Sequence, residues 1–268
     1  MSLLSVENLS FSIDGTKLLE NISFSLEKGS LTLVAGKNGS GKSMLLKCLK
    51  GLERPDQGVI EIDGRPLKKE RERMKAFGLV FQDTSLEIVG STVKKDIAFG
   101  LENMKLSRDK IQETTDKMIS LFNLEKIQDL PPSVLSGGEK RRLSIAGVLA
   151  MEPEIILMDE PLANLDYPSV KMVLSTLIEL KKKGVTIVIV SHEAEKLLYL
   201  TDNTIILSDG KIKAMGKSRD MMKALRDNEV YLPLSIQIEH ILLAKPPAQL
   251  HRHHVLQQRR LRTHQEQV

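Results

Sequence analysis

The chain has 268 residues, 41% of them apolar and only 3% aromatic with no Trp, which allows one large aliphatic α/β core with an insertion or two modest ones, and favours a Val/Ile/Leu-rich parallel sheet over an aromatic-rich sandwich. Its one cysteine, Cys48, excludes an intrachain disulfide and fits a reducing compartment. The net charge of +4 equals that of residues 244–268 alone, where Lys245, Arg252, Arg259, Arg260 and Arg262 face only Glu266, so the body is near neutral and no nucleic-acid partner is expected.

In chain order, Leu4–Leu9, Phe11–Ile13 and Ile22–Leu26 alternate apolar and polar residues, as half-buried antiparallel strands do, with a turn at Asp14-Gly15. Leu31–Ala35 reads as a short buried strand running into a glycine-rich loop. Met44, Leu45, Leu46 and Leu49 then mark a helix ended by Gly51 and Pro55. Val59–Ile62 reads as an edge strand and Leu79–Phe81 as a strand ending at Gln82. From about Thr92 to Met151 the pattern is helical: Ile111, Thr115, Met118 and Phe122 form one stripe, Leu143, Ala146 and Ala150 another, and Pro131-Pro132 divides them. Strands return at Ile155–Met158, Val185–Val190 and Thr204–Leu207, with a helix over residues 169–183 between the first two. This order predicts an α/β fold with a mostly parallel sheet, an N-terminal antiparallel β subdomain and an inserted α-helical subdomain. No apolar run is long enough to span a bilayer, and the start lacks the pattern of a signal peptide, so the expectation is a soluble intracellular chain that borrows another chain's helices if it works at a membrane. Residues 248–268, rich in Gln, His and Arg, read as a disordered or artificially added tail, with a metal site at His251, His253 and His254 as the alternative.

Gly36, Lys37, Asn38, Gly39, Ser40, Gly41, Lys42 and Ser43 spell G-x-x-x-x-G-K-S between a strand and a helix. Such glycines let backbone N–H groups face inward as a nest for phosphates, with Lys42 reaching the β- and γ-phosphates of ATP and Ser43 binding Mg²⁺. Asp159-Glu160 ends a buried strand. Alone it reads as a solvated acidic turn; paired with the phosphate loop it reads as an Mg²⁺-shell carboxylate, Asp159, and a water-polarising base, Glu160. Leu135-Ser136-Gly137-Gly138-Glu139 opens a helix predicted over residues 137–151. It is a second anion-binding terminus, which suggests a cap for ATP held by another copy, and Ser136 with Glu139 is also a capping box.

These residues resemble the ABC ATPases, P-loop NTPases with a RecA-like core. The phosphate loop at Gly36–Ser43, the Q-loop at Gln82, the signature at Leu135–Glu139, Asp159-Glu160, the D-loop at Ala163–Asp166 and the switch histidine His192 occur in that family's order over about residues 3–216. The resemblance implies an ATPase domain over 1–216, with a core of 1–91 and 153–216 and a helical subdomain of 92–152, followed by a small C-terminal extension at 217–247. It implies two such subunits, alike or different, sandwiching two ATP molecules, each site completed by the partner's Ser136, Gly137 and Gly138. Glu160, His192 and Gln82 would act in catalysis, Ser43, Gln82 and Asp159 would serve Mg²⁺, and Asp166 would cross the seam. Ile97–Asn103, Leu106–Arg108 and Ser144–Met151 further resemble the energy-coupling-factor branch, whose ATPases power uptake of vitamins or of cobalt and nickel ions. That branch works through a transmembrane scaffold protein and a substrate-capture subunit, with the ATPase peripheral at the cytoplasmic face. The alternative is a non-transport ABC ATPase acting in cofactor assembly, translation or on nucleic acid.

The sequence departs from the family at four places. Ile13 stands where an aromatic residue usually stacks on adenine, with Phe11 two residues earlier. Glu139 replaces the commoner Gln, and Asn164 a small D-loop residue. Asp83–Glu87 replaces a stretch that in the energy-coupling branch helps form the scaffold's groove, where Asp83 and Glu87 are expected either to meet scaffold arginines or to form a solvated acidic loop.

Overall fold

A computed structural model describes residues 2–84, 87–228 and 230. The expected C-terminal extension beyond these positions and the histidine-bearing tail lie outside the described residues.

The first two strands, β1 (Ser2–Ile13) and β2 (Thr16–Glu27), form an antiparallel hairpin. Its turn residues Asp14 and Gly15 both take positive φ, 48° and 76°, which a two-residue hairpin turn of the primed type needs. On the other side of β1 lies β4 (Gln57–Ile62), and beyond it the two-residue β5 (Arg65–Pro66). The predicted edge strand is therefore flanked on its outer side by only two residues.

The second sheet has the order β10 (Lys211–Lys217), β9 (Asn203–Ser208), β3 (Leu31–Ala35), β8 (Thr186–Ser191), β7 (Ile155–Asp159), β6 (Phe77–Val80). All its pairings are parallel except that of β10 with β9. Period-two alternation divides its side chains between the faces. Val34, Ile155, Leu157, Val188, Val190, Ile205 and Leu207 join one core with Leu45, Leu46 and Leu49 of helix α1 (Lys42–Lys50) and with Leu4, Val6, Leu9 and Ile22 of the first sheet. Helix α1 thus lies between the two sheets. The opposite-facing Ile156, Met158, Ile187, Ile189 and Ile206 are also fully buried, as expected of a parallel sheet covered on both sides.

Helix α2 (Glu70–Ala76) leads into β6. Between β6 and β7 lie α3 (Val93–Asn103), α4 (Arg108–Leu121) and α5 (Gly137–Ala150), the last packing on α3, α4, β6 and α6 (Tyr167–Lys182). Helix α6 starts two residues before its predicted start, because Asp166 caps it and Pro168 fits its first turn. Strand β6 begins earlier than expected for a packing reason: Gly78, which reads as a break in sequence, sits where a Cβ would come 2.4 Å from Val148 of α5. The described chain closes with α7 (Ala194–Leu197) and α8 (Met222–Asp227). No helix among the described residues is long and apolar enough to cross a membrane.

Candidate active site

The strand register gathers the chemistry on one sheet edge. Ala35 pairs with Ser191, Asp159 with Val190 and Val80 with Met158, so β3, β8, β7 and β6 all end at the same carboxyl edge. Strand β3 runs into Gly36–Ser43, β8 into His192, β7 into Glu160, and β6 reaches Gln82 two residues past its end. Lys42, Ser43, Asn38, Gly39, Gly41, Gln82, Glu160 and His192 line one cleft of about 480 Å³, together with Leu18 and Met44.

The loop before α1 is shaped for an oxyanion. Gly39 and Gly41 take φ of 80° and 99°, and no side chain caps the first amides of α1, which like those of any helix lack intrahelical partners. Gly36 has no room for a side chain: a Cβ there would lie 2.2 Å from the Leu207 carbonyl oxygen. Lys42 Nζ donates to the Gly36 and Lys37 carbonyls at 2.8 and 2.9 Å, folded back across its own loop. Burial lowers the Lys42 pKa, and Glu160 and Asp159 oppose that shift.

The acidic side of the cleft is held by hydrogen bonds. Ser43 Oγ donates to Asp159 Oδ1 at 3.1 Å, and burial chiefly raises the pKa of Asp159. Glu160 is 7% exposed and sits in the left-handed region at φ 46°, an uncommon conformation for a residue with a long side chain. Its Oε2 accepts from Ser191 Oγ at 2.9 Å, and its Oε1 from the His192 N–H at 2.8 Å. His192 Nδ1 is also 2.8 Å from that Oε1. The carboxylate is thereby aimed by three groups from the end of β8.

An Mg²⁺ ion fits the donor set: one hydroxyl and one carboxylate, with Gln82 nearby, provide the few protein oxygens this ion takes when phosphates and water supply the rest.

The remaining predicted site residues form a separate group. Ser136 caps α5 through a reciprocal box: its Oγ accepts from the Glu139 N–H at 3.3 Å, while Glu139 Oε2 accepts from the Ser136 N–H and hydroxyl at 2.8 and 2.7 Å. Those bonds lower the Glu139 pKa. Asp166 caps α6 by accepting from the Ser169 N–H at 3.1 Å. The two helix starts touch, since a Cβ on Gly138 would lie 2.5 Å from Ser169 Oγ and one on Gly137 3.3 Å from Leu165. None of Ser136, Gly137, Gly138 and Asp166 lines the cleft. Asn164 takes φ 59°, a conformation asparagine tolerates, which accounts for its place beside Leu165.

Ile13 stands at the hairpin end, 43% exposed and outside the cleft lining, and Phe11 is buried. Leu18 of β2 lines the cleft instead, and only its distance from the phosphate loop in sequence hid it. Glu87 is turned inward, accepting from the Phe81 N–H and the Ser144 hydroxyl, so it is not a solvated loop residue. Arg141, also unforeseen, donates to the Phe81 and Gln82 carbonyls, the latter at 2.7 Å.

Comparison with known proteins gives a consistent result. The family described as ABC transporter matches residues 19–163. An energy-coupling factor transporter ATP-binding protein of Methanocaldococcus jannaschii is 35% identical over 239 residues, 87% of this chain and 86% of that protein. A counterpart from Fusobacterium nucleatum is 38% identical over 243 residues, 90% of each. Among solved structures, the ABC transporter component cbiO1 of Clostridium perfringens, described as part of the cbiONQ complex, superposes with a TM-score of 0.79 at 32% identity, covering 90% of this chain and 98% of that one.

Proposed function

Because the chain belongs to the ABC transporter ATP-binding family, we propose how its residues divide the work of an ATPase subunit that powers an energy-coupling-factor importer. It binds and hydrolyses ATP, and its kinship with transporter ATPases along nearly its whole length favours transport over the non-transport alternative. The observation that carries the assignment of roles is the convergence of Gly36–Ser43, Gln82, Glu160 and His192 on one cleft while Ser136–Gly138 and Asp166 are grouped elsewhere on the same chain.

The amides of Gly36–Ser43 and the α1 terminus receive the phosphates. Lys42, whose ammonium bonds the Gly36 and Lys37 carbonyls, exchanges them for phosphate oxygens. Ser43 and Asp159 hold Mg²⁺, with Gln82 beside them; when bound, the ion neutralises charge on the phosphates. Glu160 orients and polarises the attacking water, and Ser191 and the His192 backbone keep its carboxylate in place. His192, which lines the same cleft, is assigned the contact with the γ-phosphate. Ile13, on the hairpin that carries Leu18, covers the adenine base by apolar contact in place of the usual aromatic ring.

Ser136, Gly137, Gly138 and Asp166 complete the site of a second ATPase subunit, which in turn completes this one. The close approach of Gly138 to Ser169 sets the α5 and α6 starts side by side on one surface. The domain division is 1–91 and 153–216 for the core and 92–152 for the helical lobe. Between them runs an apolar groove of about 450 Å³ lined by Leu52, Leu79, Val89, Phe99, Met104 and Val148 among others. Leu52, Val89, Phe99 and Met104 are exposed there, and we assign the groove to a helix of the transmembrane scaffold protein, which carries the substrate-capture subunit. The subunit then works peripherally at the cytoplasmic face of the membrane, and the cargo is a vitamin or a transition-metal ion.

Glu160→Gln tests the catalytic assignment. It keeps size and most hydrogen bonds but removes the base, so turnover falls by ~10²–10⁴-fold while ATP is retained in a closed pair. Hydrolysis near the wild-type rate would overturn the role of Glu160.

A further inference from the structure

We propose that Arg141 is the positioning residue for Gln82, so that the helix presenting Ser136, Gly137 and Gly138 to a partner's nucleotide also sets where Gln82 stands in this chain's own cleft. This link between the two half-sites rests on the ATPase roles proposed for them and adds the residue that joins them.

The sheet cannot hold Gln82. Strand β6 is the sheet's edge and pairs only with β7, and that ladder ends at Val80 with Met158. The next two residues leave the ladder, and their carbonyls are not bonded by the sheet. Arg141 bonds them instead: its side chain is 2% exposed, and Nη2 donates to the Gln82 carbonyl at 2.7 Å while Nη1 donates to that of Phe81. The same stretch is tied to α5 a second time, because Glu87 accepts from the Phe81 N–H and from the Ser144 hydroxyl. Both polar groups of Phe81 are therefore satisfied, directly or through Glu87, by side chains one helical turn apart on α5.

The charge balance fits a permanent feature. A buried guanidinium is stable only where acceptors and acidic neighbours offset its lost hydration. Burial lowers the Arg141 pKa, and Glu87, Asp83 and Asp159 raise it. The neighbouring Arg142 does something different: it donates to the carbonyls of Phe122 and Asn123 at 2.7 and 3.2 Å, within the helical region. Two consecutive arginines thus serve two separate contacts, which provides an internal control.

The geometry gives a direction of action. Arg141 lies three residues beyond Gly138, in the first turns of α5, so a displacement of this terminus by a partner's nucleotide reaches Gln82 through one buried side chain. Removing the guanidinium leaves the phosphate nest intact and loosens Gln82, which affects turnover rather than ATP binding.

The test measures MgATP hydrolysis by the full chain in its assembled ATPase pair, with ATP affinity and thermal stability, for wild type, Arg141→Met, Arg141→Lys and Arg142→Met, with Glu160→Gln in parallel. Arg141→Met is expected to keep ATP affinity within about twofold and to lose ~10- to 100-fold in kcat, the scale set by small misplacements of reacting groups. Arg141→Lys, with one donor group retained, recovers part of the loss. Arg142→Met lowers stability without lowering kcat per folded molecule. Unchanged kcat in Arg141→Met overturns the proposal, as does a fall in kcat that only tracks lost stability and lost ATP affinity. Should Arg141→Met fail to fold, the milder Arg141→Lys is combined with Gln82→Ala: effects on kcat that do not add support action through Gln82, and additive effects overturn it. A Glu160→Gln protein that still hydrolyses ATP would sink the catalytic reading itself, whatever Arg141 does.

Discussion

Glu87 makes the protein's stability depend on pH in a way opposite to that of an ordinary surface carboxylate. It lies among the Phe81 N–H, the Ser144 hydroxyl, Arg141 on α5 and Asp96 on α3, and burial, outweighing the hydrogen bonds and Arg141, pushes its pKa from 4.5 to about 6. A carboxyl whose pKa is higher folded than unfolded favours folding in its protonated form. Its contribution is complete below the unfolded value and is lost as the pH rises through about 6. A rise of roughly 1.5 units corresponds to at most ~2 kcal/mol, of which ~1.3 kcal/mol disappears between about pH 5 and 7.5. Glutamine cannot titrate and can still meet the Phe81 and Ser144 groups. Glu87→Gln should therefore be more stable than wild type by up to ~2 kcal/mol near pH 8, with the gain shrinking towards zero near pH 4.5. Urea denaturation of both proteins across that range, at constant ionic strength and without nucleotide, measures the difference. A gain that does not change with pH, or a penalty that deepens as the pH rises, would mean that Arg141 holds Glu87 ionised, and the reasoning fails.

Two other substitutions probe the loop and the base-binding position. Gly36→Ala places a Cβ 2.2 Å from the Leu207 carbonyl and 2.7 Å from Ser40 Oγ, and strand β9 cannot yield; the phosphate loop must shift, with ~1–3 kcal/mol of stability lost and ATP binding weakened at least about tenfold, and wild-type affinity in a nucleotide titration would refute this. Ile13→Tyr puts a ring on an exposed position of the hairpin that also carries the cleft residue Leu18, so ATP binding should tighten by ~0.5–1.5 kcal/mol, while an unchanged titration would remove Ile13 from the base-binding position.

The features legible in the sequence are those that depend on local chain geometry. The phosphate loop, Gln82, Asp159-Glu160 and His192 each come at the end of a short apolar strand, and parallel pairing brings the ends of such strands together. The cleft could thus be assembled from strand ends without knowing any side-chain contact. The signature at Ser136–Glu139 was legible as a capped helix start for the same reason. The features that escaped are carried by long-range contacts. Arg141 reads as one of three consecutive basic residues on a helix surface, and only the fold shows that it is buried against carbonyls 59 and 60 residues away. Glu87 reads as part of an acidic loop, yet Ser144, 57 residues on, draws it inward. Gly78 hid the start of β6 because a glycine lowers strand propensity, whereas here its missing side chain is what lets α5 approach.

The two helix starts that receive phosphate under this assignment are prepared differently, and the difference bears on why nucleotide is needed to join two subunits. The α1 terminus has a glycine cap, no acidic residue in its first turn and the Lys42 ammonium folded over it, so it is electrically open to an anion. The α5 terminus is already occupied by an anion of its own: Glu139 sits in the first turn, bonds the Ser136 N–H and hydroxyl, and is stabilised as a carboxylate by both. A phosphate arriving from a partner must displace that carboxylate from the Ser136 hydroxyl or accept from the Gly137 and Gly138 amides beside it. The first subunit thus meets ATP at a terminus with no anion of its own, whereas at the second terminus the route through the Ser136 hydroxyl requires the capping box to open. Binding to the open terminus therefore comes before closure on the guarded one. A glutamine at position 139 would preserve the box without the charge, so the glutamate sets an anion where the incoming phosphate arrives on the capping subunit, while the α1 terminus that holds the nucleotide has none.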